Sequence, residues 1–119
     1  MSAAARDRVA AVCAALPEAA AEEAGAHVRH VVRGRTFAWF LDDHHGDGRV
    51  AVCVKAAPGG AEALIEEDPE HHWRPSYLGR HGWVACALDV PDVRWDAVAE
   101  LVTESYRIVA PARLVARMD

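Results

Sequence analysis

Apolar positions follow a helical spacing at both ends of the chain and an alternating spacing in its middle. Near the N-terminus they recur every three or four residues and so share one face of a helix: Val9, Val12, Cys13 and Leu16. Pro17 cannot continue that helix, because proline lacks a backbone donor and its ring clashes with the preceding turn. The pattern predicts a first helix over residues 3–16 that needs a partner surface.

The middle of the chain predicts strands. Residues 27–41 are rich in Val, Phe, Thr and Trp, and Arg33-Gly34-Arg35 divides them at a glycine suited to a tight turn, which indicates a β-hairpin. In residues 50–55, side chains alternate with a period of two, which predicts a third strand. Residues 83–88 predict a further strand. Between these two strands, residues 61–67 predict a short helix.

A second long helix is predicted near the C-terminus. Asp92 can cap it, Pro111 follows its end, and its buried stripe contains Trp95, Val98, Leu101 or Val102, Ser105 or Tyr106, and Val109. A last amphipathic turn covers residues 112–118. An antiparallel sheet with one apolar face needs covers, and the N- and C-terminal helices are available for this. We therefore expect an α+β two-layer sandwich whose other sheet face stays open.

Composition favours one small domain over residues 1–119. The chain has 119 residues, of which 52% are hydrophobic, and this is enough to bury a core without disulfides or metal. Three cysteines, Cys13, Cys53 and Cys86, form no CxxC motif, and their odd number argues against a disulfide framework. With no apolar run long enough to span a membrane and no secretory leader, we expect a cytoplasmic protein.

The charge distribution is uneven. The formal net charge is −5, which disfavours a dedicated nucleic-acid binder. Residues 24–41 and 71–88, however, contain no acidic residue and hold five arginines and five histidines. These two windows are either a basic contact surface or strands in which Asp and Glu are rare for structural reasons.

Several short motifs in a fixed order resemble the MmcQ/YjbR family along nearly the whole chain. They are Leu16-Pro17, Gly34 before Phe37, Lys55, Trp73-Arg74-Pro75, Tyr77-Leu78-Gly79, Gly82-Trp83-Val84, Leu88-Asp89, Trp95 and Ser105-Tyr106-Arg107. The resemblance implies a fold similar to that of CyaY, the bacterial frataxin. It also implies a DNA-binding role through two β-wings.

The resemblance places the two wings at the hairpin around Gly34 and at the segment around Gly79. Their candidate DNA-binding residues, together with the lysine of the third strand, are Arg29, Arg33, Arg35, Lys55, Arg74, Tyr77, Arg80 and His81. Arginine can bind phosphate in a bidentate fork. Lys55 alternates in phase with Cys53 and is expected on the face opposite Val52 and Val54. The alternative is a module that binds a protein or a small ligand through the same face, with no role in nucleic-acid binding.

Metal and catalytic sites find little support in the sequence. His27 and His30 lie three residues apart on one strand and point to opposite faces, so they cannot chelate together. The loop after Asp43 starts like an EF-hand, but Val54 stands where the bidentate glutamate is required. No nucleophile motif, phosphate loop or dinucleotide fingerprint is present. We expect a non-enzymatic domain with no cofactor and no metal.

Overall fold

The computed structural model describes residues 2–76, 78 and 81–118, and within them it contains four α-helices and six strands. In chain order these are α1 (Ser2–Ala14), β1 (Ala19–Ala24), β2 (His27–Val32), β3 (Arg35–Asp42), β4 (Val50–Lys55), α2 (Gly60–Glu67), β5 (His72–Trp73), β6 (Trp83–Ala87), α3 (Trp95–Val109) and α4 (Ala112–Ala116). A 3-10 turn, His44–Gly46, lies between β3 and β4. None of the helices in this part of the chain is long and apolar enough to cross a membrane.

The six strands form one antiparallel sheet in the order β1-β2-β3-β4-β6-β5. Helices α1 and α3 pack on one face and enclose the main core, which includes Val9, Val32, Phe40, Val52, Val54, Val84, Val98, Val102 and Leu114. The predicted α+β two-layer architecture, with the terminal helices on one face, is therefore confirmed.

Most predicted elements are found within one or two residues of their expected bounds, but β1 and β5 were not anticipated. Strand β1 has the composition AAAEEA, and alanine and glutamate favour helices and are uncommon in strands. It is strand because every residue from Ala19 to Ala24 pairs with β2 across a tight turn at Gly25, whose φ is +64°. The partner strand overrides the local preference.

A β-bulge at Phe37 changes the course of β3. Ala38 pairs with His30 while Thr36 pairs with Val31, so Phe37 has no partner on β2. The extra residue turns the Phe37 ring into the main core, where it meets the Tyr106 ring edge-on with centroids 5.3 Å apart.

Ser105 on α3 bridges β3 and β4 at the point where their ladder ends. Ala38 pairs with Val54, so Phe37 and Lys55 would be the next pair if the ladder continued. Instead, the Lys55 backbone N–H donates to the Ser105 hydroxyl at 3.0 Å, and that hydroxyl donates to the Phe37 carbonyl at 2.6 Å. Ser105 is fully buried. One hydroxyl thus satisfies two backbone groups and holds the helix against the sheet.

Tyr106, the residue after Ser105, connects α3 to the segment between α1 and β1. Tyr106 is fully buried, and its hydroxyl donates to the Pro17 carbonyl at 2.7 Å. Pro17 lies in the connection between α1 and β1. The Ser105-Tyr106 pair therefore joins α3 to three places that are far apart in sequence.

The far face of the sheet is not open as expected. Leu41, Cys53 and Trp83 form a second buried cluster there, with Trp39 and Leu78 packed against it. Leu78, which lies between β5 and β6 in the chain, thus covers part of the far face. Trp83 is only 8% exposed and is therefore a packing residue. Cys53 faces this cluster while Val52 and Val54 face the main core, as the alternation predicted.

Removing the Ser105 hydroxyl tests the bridge. We expect Ser105→Ala to lower the free energy of unfolding by about 1–3 kcal/mol, because a buried N–H and a buried carbonyl lose their partner. Urea denaturation followed by tryptophan fluorescence measures the change. Thr103→Ala is the matched control, because the Thr103 hydroxyl donates only to the Ala99 carbonyl within the same helix. Equal effects of the two substitutions would contradict a special role for Ser105.

Buried His30 predicts that acid destabilises the fold. His30 is 3% exposed, and among the described residues its Nε2 atom has no hydrogen-bond partner. Burial lowers the pKa of His30 below its ordinary value of 6.5. As pH falls below that ordinary value, the unfolded chain takes up a proton that folded His30 resists, so folding stability decreases. We expect His30→Leu to flatten the decline of unfolding free energy between neutral and mildly acidic pH, as measured by urea denaturation at a series of pH values.

Candidate functional site

The antiparallel register brings several of the predicted DNA-binding residues to one end of the sheet. Ala38 pairs with Val54, so the β2–β3 turn at Arg33-Gly34 and the end of β4 at Lys55 lie at the same end. Lys55 in turn pairs with Trp83, which places His81 there as well. We call this region, with the turn, Lys55 and His81, the hairpin end.

Arg29 is occupied within the hairpin. Its Nε donates to the Thr36 hydroxyl at 2.6 Å, and one Nη donates to the Gly34 carbonyl at 3.1 Å. The other Nη pairs with Glu22 on β1 at 2.5 Å. The guanidinium therefore holds three neighbouring strand segments together, and its main role is structural.

Arg33 extends from the turn and forms a bidentate pair with Glu18. Its Nε and one Nη lie 2.6 and 3.0 Å from the two carboxylate oxygens. Arg117, just after α4, also contacts Glu18 at 3.5 Å. The hydrogen bond from Arg33, and the charges of Arg33, Arg117 and Arg113, lower the pKa of Glu18. Two arginines thus contact one carboxylate, and the charge of a third acts on it.

The sequence did not point to Arg113 and Arg117 as candidates. Both belong to the C-terminal segment, more than seventy residues from the hairpin, and the helical pattern of that segment indicated only packing. The fold brings α4 beside the α1–β1 connection, where Glu18 lies. The available signal was the excess of arginine over acid in residues 107–117, which contain three arginines and no acidic residue.

Arg35 and Lys55 complete the cations of the hairpin end. Arg35 is exposed at the start of β3, and Lys55 is half-buried at the end of β4. Neither side chain makes an ion pair with any residue that the structure describes. Both are positioned by backbone pairing: Arg35 pairs with Val32, and Lys55 pairs with Trp83.

The second predicted wing is described only in part. Arg74 is exposed and pairs with Glu62 on α2 at 2.6 Å, and His81 is exposed. Tyr77 and Arg80 lie outside the described residues. The hydrogen bond from Arg74 lowers the pKa of Glu62.

The acid-free windows of the sequence are not acid-free in space. Glu18 and Glu22, which reach Arg33 and Arg29, come from the unanticipated strand β1 and the residue before it, and Glu62 comes from α2. Each of these carboxylates lies outside the two windows. At the hairpin end, cations outnumber the Glu18 carboxylate.

Trp73 at the far edge of the sheet is held by an ion pair. The Arg49 guanidinium lies 4.4 Å from the centre of the Trp73 ring and forms a bidentate pair with Asp89 at 2.9 and 3.0 Å. Asp89 also accepts from the Val50 backbone N–H at 3.1 Å. This arrangement ties the start of β4 to the end of β6, which is a structural role for the Leu88-Asp89 motif.

Neither the thiols nor the histidines form a reactive centre in the described part of the chain. Burial raises the pKa of Cys13 to about 12 and that of Cys86 to about 11, and it also raises the pKa of Cys53. No group of three or more His, Cys, Asp or Glu side chains in residues 2–76, 78 and 81–118 has the geometry to hold a metal ion.

Comparisons with known proteins identify relatives. Residues 14–108 match the model of the family named YjbR. The fold is similar to the crystal structure of Deinococcus radiodurans protein DR2400, which has a DUF419 domain, with a TM-score of 0.71 and 23% sequence identity. The alignment covers 87% of this chain and 76% of that chain, and at this identity the likeness concerns the fold alone. No curated protein matches the chain significantly.

The protonated, buried thiols predict low reactivity. At pH 8 we expect Ellman's reagent to modify half-buried Cys86 slowly, and Cys13 and Cys53 only when the protein unfolds, because the thiolate is the reacting form. In guanidinium chloride all three thiols should react at the rate of free cysteine. A native thiol that reacts faster than free cysteine would indicate an activated nucleophile and contradict this interpretation.

Proposed function

The chain belongs to the YjbR family, and we propose that residues 1–119 form a single cytoplasmic, non-enzymatic domain that binds DNA through its hairpin end. The observation that carries this proposal is the arrangement around Glu18, where Arg33 and Arg117 contact one carboxylate and the charge of Arg113 also acts on it. Arg35 and Lys55 lie at the same end of the sheet. Together these five cations form the contact surface of the proposal.

The size of the hairpin end supports a contact with a phosphate backbone. Neighbouring strands in a sheet are about 4.8 Å apart, so the two steps from β2 to β4 span roughly 10 Å. Arg33 lies in the turn after β2 and Lys55 at the end of β4. A surface of this width can reach two or three phosphates of a duplex, since on each strand these repeat about every 3.4 Å of helix axis.

The expected binding is weak and independent of sequence. The formal net charge of −5 opposes approach to DNA over long distances. The ion pairs of Arg33 and Arg74 are exposed, and exposed pairs contribute only about 0–1 kcal/mol, so a phosphate can replace the carboxylate. Backbone contacts without base contacts give affinity but little specificity.

Salt dependence provides the primary test. With three phosphate contacts, affinity for a labelled duplex should fall by roughly sixfold when the salt concentration doubles. Arg33→Ala and Arg35→Ala should each weaken binding on every sequence and reduce the slope of log affinity against log salt by about 1. Fluorescence anisotropy at low and moderate salt measures both quantities.

Glu18 makes the test specific for the hairpin end. Glu18→Gln removes the competing carboxylate, so we expect tighter DNA binding than for the unmodified protein. Arg94→Ala is the matched control for charge, because Arg94 is exposed, pairs with Asp96 and lies at the start of α3 away from this region. An equal loss for Arg94→Ala and Arg33→Ala would show a nonspecific charge effect. Absence of any anisotropy change at low salt would rule out DNA and leave the domain as a module for a protein or small ligand.

A further inference from the structure

A groove on the helix-covered side lies between α2, α3 and the β5–β6 edge, away from the hairpin turn. Its volume is about 440 Å³, within the range of small-ligand sites. The floor and walls are largely apolar and include Leu64, Cys86, Val98 and Leu101. Leu64 and Leu101 are half-buried and pack against the main core.

Acidic side chains surround this apolar floor. Five of the eighteen carboxylates of the chain line the groove: Glu67, Asp68, Asp92, Glu100 and Glu104. The Asp68 carboxylate lies 2.9 Å from the Nδ1 atom of His71. Arg94, the one arginine among the lining residues, forms an ion pair with Asp96. Among the described residues, Glu67, Glu100 and Glu104 have no ion-pair partner.

The free carboxylates lie on two different helices. Glu100 and Glu104 are one turn apart on α3, and like charges at this spacing destabilise a helix. Glu67 lies on the opposite wall, at the end of α2. A positive charge between the walls would interact with carboxylates from both helices.

We propose that this groove binds a small amphipathic cation, which consists of an apolar body and a protonated amine. The apolar body contacts Leu64, Cys86 and Leu101, and the ammonium group lies among the free carboxylates. The charge of the groove excludes anions, and its apolar floor favours an amphipathic amine over a fully hydrated metal ion. This site is separate from the hairpin end and does not depend on DNA binding.

Three probes of the same shape and different charge test the proposal. Phenylbutylamine, phenylbutanol and phenylbutyrate are titrated into the full chain at neutral pH, and amide NMR spectra report the affected residues. We expect saturable shifts for the amine at Leu64, Cys86 and Leu101, binding of the alcohol that is weaker by at least about fivefold, and no saturable binding of the acid.

Paired variants separate charge from shape. Glu67→Gln combined with Glu100→Gln should reduce amine affinity by about fivefold and leave alcohol affinity unchanged. Asp7→Asn combined with Glu66→Gln removes the same net charge from exposed positions outside the groove and should change neither affinity. Ala97→Leu fills the groove from α3 and should weaken both probes, and its melting temperature shows whether the fold is retained.

Several results would overturn the proposal. Equal affinity for all three probes would show a purely apolar contact, and shifts that map to the hairpin end would place the site elsewhere. If the Glu67/Glu100 double variant and the Asp7/Glu66 double variant lower amine affinity equally, the effect arises from net charge and not from the groove. Absence of saturable shifts with the amine at millimolar concentration would remove the site altogether.

Discussion

The buried hydroxyl of Ser105 is the contact on which the arrangement of this molecule depends. It accepts from the Lys55 N–H and donates to the Phe37 carbonyl, so it joins β3 to β4 just beyond the last pair of their ladder, next to the bulge at Phe37. The adjacent Tyr106 hydroxyl holds the Pro17 carbonyl. Lys55 and the residue after Pro17, Glu18, both belong to the hairpin end. Two neighbouring residues of α3 thus fix the backbone on both sides of the candidate contact surface.

Much of the fold could be predicted from the sequence, because most elements carry a strong local pattern. Helices α1 and α3 and strands β2, β3, β4 and β6 follow apolar periodicity. Strand β1 could not be predicted, since its alanines and glutamates favour a helix and only pairing with β2 makes it a strand. The candidate site depends on that strand, because Glu18 and Glu22 lie before and within it. The charge partners of the hairpin were therefore hidden from sequence analysis.

The motifs that carry the family resemblance mostly have structural roles. Asp89 binds Arg49 and the Val50 N–H, Trp83 is buried in the second cluster, and Ser105 and Tyr106 anchor α3. Such residues indicate the fold reliably, because the same contacts are needed whatever the domain binds. They carry less information about the ligand. The likeness to CyaY that the resemblance implies remains a prediction, and Arg113 and Arg117, which strengthen the candidate site, belong to none of the motifs.

Net charge describes this molecule poorly because its charges are segregated. Around Glu18, two arginines contact one carboxylate and a third acts on it through its charge, while the α2–α3 groove gathers five of the eighteen acids with one arginine. At physiological ionic strength, exposed charges are screened over about 8 Å, so each surface acts on a bound partner largely through its own residues. The formal net charge of −5 then affects only the approach of a charged partner over long distances. A domain with this distribution can bind an anion at one end and a cation at another, and the two contacts need share no residue.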